Sequence, residues 1–224
     1  MIKAIVFDFD GVIVDSEKIW LDSKIKALKI NNIKIKNNIK FKSLIGISSD
    51  VFFKRFIPNK IYQNIIREIV RSYNNLLKKN FSKTPRLNKG ILEILKTLNL
   101  KFGIVSNNSN KFILKSLKSH KILKYFKKKF IIGLSKTKFK KPLPYGYLKI
   151  LNVLNCKANE IIVIEDSYAG LSSAKNAKIK HIIKYNPFII KNIRNSFNIK
   201  KLRSLKKNIK LLSKVKTIIN KNSN

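Results

Sequence analysis

Met1-Ile-Lys-Ala-Ile-Val-Phe-Asp8-Phe-Asp10-Gly11-Val-Ile-Val-Asp15-Ser16 opens the chain and sets its organisation. Ile2 to Phe7, broken only by Lys3, has the composition and length of a short buried strand. It ends in two carboxylates one residue apart, followed by a glycine. In extended backbone, residues i and i+2 point to the same side, so Asp8 and Asp10 share a face for as long as the strand lasts. Gly11 lets the chain turn away and leaves both acids at the strand's carboxyl end. In open parallel sheets that end is where ligands bind. Carboxylates this close repel each other unless a cation or a shared proton intervenes.

The length of 224 residues suits one domain, or a core with a modest insertion, and 44% hydrophobic content can fill a sizeable core. Lysine and arginine total 50 against 11 acids, a formal net charge of +39. Such an excess invites a nucleic-acid or anionic-membrane reading. Lys, Asn and Ile are over-used together in every segment, however, and all three have A/T-rich codons. We therefore ascribe the skew to base composition, a hypothesis that a balanced source genome would remove. Against this background the acids are telling, because Asp8, Asp10, Asp15, Glu17, Glu165 and Asp166 fall in two short stretches. Cys156 is the only cysteine, which excludes an internal disulfide and a Cys-based zinc site. With no leader-like start and no run of 18 apolar residues, the sequence reading is a cytoplasmic, soluble protein without a membrane segment.

Between Ser16 and Ser82 the periodicity becomes helical, over Glu17 to Ile30, Ser49 to Phe56 and Ile61 to Leu77, with Pro58 ending the second helix. The reading is an all-helical insertion at 16–82 within a core formed by 1–15 and 83–224. A helix is expected at Asn88 to Leu98. A strand at Lys101 to Ser106 then ends in small hydrogen-bonding side chains, and Ser109 or Asn110 is placed to cap a helix over Lys111 to His120. A strand end beside a helix N-terminus favours a phosphate. Phe130 to Leu134 reads as the next strand. In the loop that follows, Pro142 and Pro144 single out Lys141 from its neighbouring lysines by restricting the backbone around it. Tyr145 to Leu154 reads as a helix, and Glu160 to Glu165 as a strand ending in the adjacent acids Glu165 and Asp166. Leu171 to Ala177 reads as a helix, with Gly170 expected to allow a tight turn into it. His181 to Tyr185 is expected to be the last core strand. From Pro187 the chain is basic and acid-free, with a possible helix at Leu202 to Ile219. No metal-ligand or catalytic spacing in the sequence involves His120 or His181, and both are expected to be structural or surface residues.

The stretch Asp8-Phe9-Asp10-Gly11-Val12-Ile13-Val14-Asp15-Ser16-Glu17 resembles the first motif of the haloacid dehalogenase-like hydrolases. It is closest to the branch of sugar-phosphate phosphatases and beta-phosphoglucomutase. Ser106 matches the family's second motif, Lys141-Pro142-Leu143-Pro144 the third, and Glu165-Asp166 the fourth, in the family's order. The resemblance implies a doubly wound, Rossmann-like α/β fold with a parallel sheet and a helical cap inserted after the first strand. It implies Asp8 as nucleophile and Asp10 as general acid/base. Ser106, with Asn107 beside it, and Lys141 would bind the phosphate. Mg2+ would be held by Asp8, the Asp10 carbonyl and Asp166, with Glu165 either a further ligand or a support. The implied activity is Mg2+-dependent phosphatase action on a small phosphorylated metabolite, a sugar or sugar-acid phosphate such as 6-phosphogluconate, by a monomer.

Two other readings stay open. Mutases of this branch carry a cap histidine where this chain has Trp20, which cannot transfer a proton, so hydrolysis is favoured. The second is a basic nucleic-acid-binding protein with a vestigial site. No recognised nucleic-acid motif supports it, and the lysines are spread over every segment.

Overall fold

The β-pattern of the first seven residues is realised as the centre of one sheet. The structure, a computed structural model, describes residues 1–35, 49–80 and 84–185 together with the backbone of 197–199. The strands are β1 (Ala4–Phe7), β2 (Lys101–Ser106), β3 (Ile131–Gly133), β4 (Ile161–Glu165), β5 (His181–Tyr185) and β6 (Phe197–Ile199). They lie in the order β3-β2-β1-β4-β5-β6, and every neighbouring pair is parallel. β1 is buried along its whole length because it has a partner on each side and helices over both faces.

Alternation along β1 separates two cores. Ile5 and Phe7 pack on one face with Ile91, Ile94 and Leu95 of α4 (Ile91–Thr97) and with Ile113 and Leu117 of α5 (Asn110–Ser119). Ala4 and Val6 pack on the other with Tyr147, Ile150 and Leu154 of α6 (Tyr145–Leu154) and with Leu171 and Ala174 of α7 (Tyr168–Asn176). The result is the doubly wound α/β fold. Its strand order reverses at β1, so the crevice at the carboxyl ends of β1, β2 and β4 is the expected ligand position.

The chain divides into two compact units, Met1–Val14 with Leu87–Asn224, and Asp15–Arg86. The described helices of the second are α1 (Glu17–Ile30), α2 (Ser49–Phe56) and α3 (Asn59–Asn80). Its own core is built from Leu21, Ala27, Leu28, Phe52, Phe53, Ile57, Ile69 and Tyr73. Lys24 buries its stem there with Nζ 5.6 Å from the centre of the Phe52 ring. Burial pushes this amine below the usual lysine range, with Glu17 acting in the opposite direction.

The described elements depart from the sequence reading at several points. α3 extends beyond Ile61 to Leu77 at both ends. α4 starts at Ile91 rather than Asn88, because Gly90 occupies its N-cap with φ 96°. The sheet continues past Tyr185, with β6 pairing Phe197 to Ile183 and Asn198 to Lys184. The helix expected at Leu202 to Ile219 lies outside the described residues. No described helix is long and apolar enough to cross a membrane.

Candidate active site

Asp8 follows β1 directly, and its N–H donates to the Ile164 carbonyl at 2.9 Å, so the strand pairing continues through it. After Asp10 the backbone closes a tight turn. Gly11, at φ 78°, donates its N–H to the Val14 carbonyl at 2.8 Å. Asn88 holds this turn from outside, its Nδ2 donating to the carbonyls of Gly11 at 2.8 Å and Val12 at 3.0 Å. The turn therefore anchors both acids at the sheet's carboxyl end.

Lys141 reaches the same point from the loop after β3. Its Nζ donates to Asp8 Oδ1 at 2.5 Å, to the Val105 carbonyl at 2.7 Å, and to Glu165 Oε1. Asp8, Lys141 and Glu165 are all buried. Tyr147, also buried, donates its hydroxyl to Glu165 Oε1 at 2.6 Å and lies beneath the ammonium, 5.3 Å from Nζ to ring centre. One ammonium is thus shared by two carboxylates with little water to help.

The electrostatics follow from that imbalance. Burial pushes the Asp8 carboxyl well above the usual carboxylate range. Lys141 opposes this, and the charges of Glu165 and Asp10 add to it. For Lys141, burial acts to lower the ammonium's value, but the carboxylates of Asp8 and Glu165 outweigh it and hold it above the ordinary lysine range. Burial and then the charges of Glu165 and Asp8 raise the Tyr147 phenol well above its ordinary value, which keeps its hydroxyl a donor.

This site fits a divalent cation. One carboxylate oxygen from each of Asp8, Glu165 and Asp166 lies within 4.8 Å of the others. Three hard oxygen donors short of positive charge suit a hard divalent cation of the Mg2+, Ca2+ or Mn2+ kind. Asp10 turns its carboxylate elsewhere, accepting from Asn108 Nδ2 at 3.2 Å.

The structure brings Asp8, Lys141, Glu165 and Asp166 together at the carboxyl ends of β1 and β4. Buried Ser106, at the end of β2, accepts the Asn108 N–H on its Oγ at 3.1 Å. The Asn107 side chain brackets the backbone of Lys141 instead of standing free. Its Oδ1 accepts the Lys141 N–H at 2.9 Å and its Nδ2 faces the Lys141 carbonyl at 3.5 Å, beside a cis Lys141–Pro142 bond. Sequence reasoning missed Tyr147 as a partner of Glu165 and Asn108 as a partner of Asp10. The Lys-Pro-x-Pro-x-x-Tyr spacing held a signal for the first, because it starts a helix whose first turn follows the lysine loop.

Gly170 needs a different explanation from the tight turn expected of it. It lies within α7, and a Cβ built there collides with the Cδ, Oε1 and Oε2 atoms of Glu165. Glycine is present to make room for the buried carboxyl. Ser167 caps the helix, accepting the Gly170 N–H at 3.0 Å.

The family model described as haloacid dehalogenase-like hydrolase matches residues 5–184. A phosphorylated carbohydrates phosphatase of Thermotoga maritima is 24% identical over 183 residues, covering 80% of this chain and 83% of that protein. A phosphoglycolate phosphatase of Photorhabdus laumondii is 25% identical over 183 residues, 79% of this chain and 77% of the relative. Among solved structures, a conserved haloacid dehalogenase-like protein of unknown function from Agrobacterium tumefaciens superposes with a TM-score of 0.78 at 18% identity. It covers 95% of this chain and 100% of its own, and at that identity the likeness speaks for the fold alone.

Proposed function

The chain belongs to the haloacid dehalogenase-like hydrolase family, and on that premise we propose a phosphatase that hydrolyses a small phosphorylated metabolite through an aspartyl-phosphate on Asp8. The observation that carries the proposal is the buried Asp8–Lys141–Glu165 cluster. It holds a carboxylate oxygen in place at the sheet's switch point, next to a second carboxylate, Asp10. The names of the relatives support a phosphoric ester as substrate.

In this reading Asp8 attacks phosphorus in line, and Asp10 protonates the departing ester oxygen. Asp10 then removes a proton from the water that hydrolyses the acyl phosphate. The Ser106 hydroxyl is assigned to the phosphoryl oxygens as a donor. Lys141, whose three N–H groups are taken by Asp8, Val105 and Glu165, is assigned to the phosphate through its positive charge, which offsets charge as it spreads in the transition state. Asn107 keeps the Lys141 backbone in register rather than using its side chain on the phosphate. Asp8, the Asp10 carbonyl and Asp166, with Glu165 in reach, would hold Mg2+. When bound, the ion supplies charge neutralisation between the acids and the incoming phosphate. The helical unit, inserted after the first strand as in the family's capped members, is assigned to substrate selection. A sugar or sugar-acid phosphate suits its basic composition.

Phosphate release from a panel of sugar phosphates with Mg2+ tests the proposal, comparing native protein with Asp8→Asn. Turnover abolished by the substitution supports it. Equal rates in the two proteins refute the assignment of Asp8.

A further inference from the structure

Asp10 has its carboxylate held by a residue that no motif marks out. Asn108 Nδ2 donates to Asp10 Oδ2 at 3.2 Å. The amide's orientation is settled by its other end, since Asn108 Oδ1 accepts the main-chain N–H of Ser109 at 2.9 Å and such a group can only donate. Oxygen therefore belongs toward Ser109 and the NH2 toward Asp10. The backbone beneath is fixed as well. The Asn108 N–H is held by Ser106 Oγ, and its carbonyl accepts the Ser135 N–H at 3.3 Å. Ser109 in turn caps α5, accepting the Phe112 N–H at 3.2 Å.

We infer that Asn108 is a positioning residue for the general acid, one that fixes the direction from which Asp10 delivers its proton. The N–H aimed at Oδ2 occupies one lone pair of that oxygen and ties it to the loop after β2. The same bond sets the plane of the carboxyl group. In the transfer step an Asp8 oxygen bonds to phosphorus while the phosphorus–ester oxygen bond breaks. The electron pair of that bond stays on the leaving oxygen, which takes the proton from the Asp10 carboxyl group and departs as an alcohol. Asp10 is left ionised. Aliphatic esters depend on this delivery, because an alkoxide is a poor leaving group, whereas a nitrophenolate leaves without a proton.

The inference rests on the phosphatase reading, and the test separates the two. kcat/KM is measured with Mg2+ for an aliphatic ester, glycerol 3-phosphate or a hexose 6-phosphate, and for p-nitrophenyl phosphate. Wild type, Asn108→Asp and Asn108→Ala are compared. Asn108→Asp keeps the shape and the acceptor for Ser109 but cannot donate to Asp10, and Asn108→Ala removes the donor without adding charge. The ratio of aliphatic to aryl kcat/KM is expected to fall about 10-fold or more in both, inside the roughly 10²–10⁴ that general acid catalysis contributes. Damage to the loop or to phosphate binding would slow both esters alike and leave the ratio unchanged, and that result overturns the inference. Should the charge of Asn108→Asp abolish turnover of both esters, the ratio in Asn108→Ala decides. A wild type that turns over neither ester removes the phosphatase reading itself.

Discussion

Replacing Gly170 with alanine adds one methyl group to the first turn of α7, and the sign of its effect depends on where the Glu165 carboxyl lies. At an open helical site the change stabilises by up to about 1 kcal/mol, because alanine loses less backbone freedom on folding. Here the new Cβ lands on the carboxyl group of Glu165, a side chain with no exposed surface that is held by Lys141 and Tyr147. The carboxyl must leave its partners, and breaking one side of a buried ion pair costs about 3–5 kcal/mol. Allowing for the helix gain, the net loss is about 2–4 kcal/mol. For a chain of this size that lowers the melting temperature by roughly 4–16 °C. Thermal unfolding followed by far-UV circular dichroism reads it directly. In a Glu165→Ala background the same methyl group should cost nothing, a coupling that a double-mutant cycle isolates. If Gly170→Ala melts at or above wild type, Glu165 does not occupy the space beneath α7 and the reasoning fails.

Other outcomes follow from the same contacts. Tyr147→Phe keeps the ring under Lys141 but removes the donor to Glu165, so it should cost about 1.5–3 kcal/mol in urea unfolding, the range for a hydrogen bond to a charged group; an unchanged midpoint would count against the contact. Gly133→Ala would place a Cβ 2.7 Å from the Asn108 carbonyl oxygen, at a cost of about 1–3 kcal/mol, and should reduce phosphate release more than residues equally far from Asp8, because the displaced loop carries Asn107 and Asn108. Mg2+ at about 100 times its dissociation constant should stabilise the native protein by about 2.7 kcal/mol, and Asp166→Asn should remove most of that gain in a thermal-shift titration.

The legible part of this protein owes much to its composition. Where lysine is everywhere, a strand ending in two acids is conspicuous, so Asp8, Asp10, Glu165 and Asp166 could be read as a site before any geometry was known. Buried parallel strands are nearly continuous apolar runs, which made β1, β2 and β4 equally plain. Lys141 was separable from Lys140 only because Pro142 follows it. What stayed hidden depended on side-chain direction. Of two adjacent acids, the chain alone does not show that Glu165 turns inward to Lys141 and Tyr147. Gly170 looked like a turn residue because the atoms it makes room for belong to Glu165, on the strand before it. Asn107 and Asn108 are neighbours of one type, yet one brackets the Lys141 backbone and the other holds Asp10. β6 escaped because Phe197 to Ile199 is three residues long among Lys and Asn, too short for an alternating pattern to show.

The central claim is that Asp8 carries the phosphoryl group during turnover. It is tested most directly by acid-quenching the protein during turnover of a 32P-labelled ester with Mg2+ and counting label on the chain. The account predicts label approaching one phosphoryl group per chain at most, released by hydroxylamine as an acyl phosphate should be, and absent from Asp8→Asn. Steady turnover with no label on the native chain, or equal label on Asp8→Asn, would contradict it.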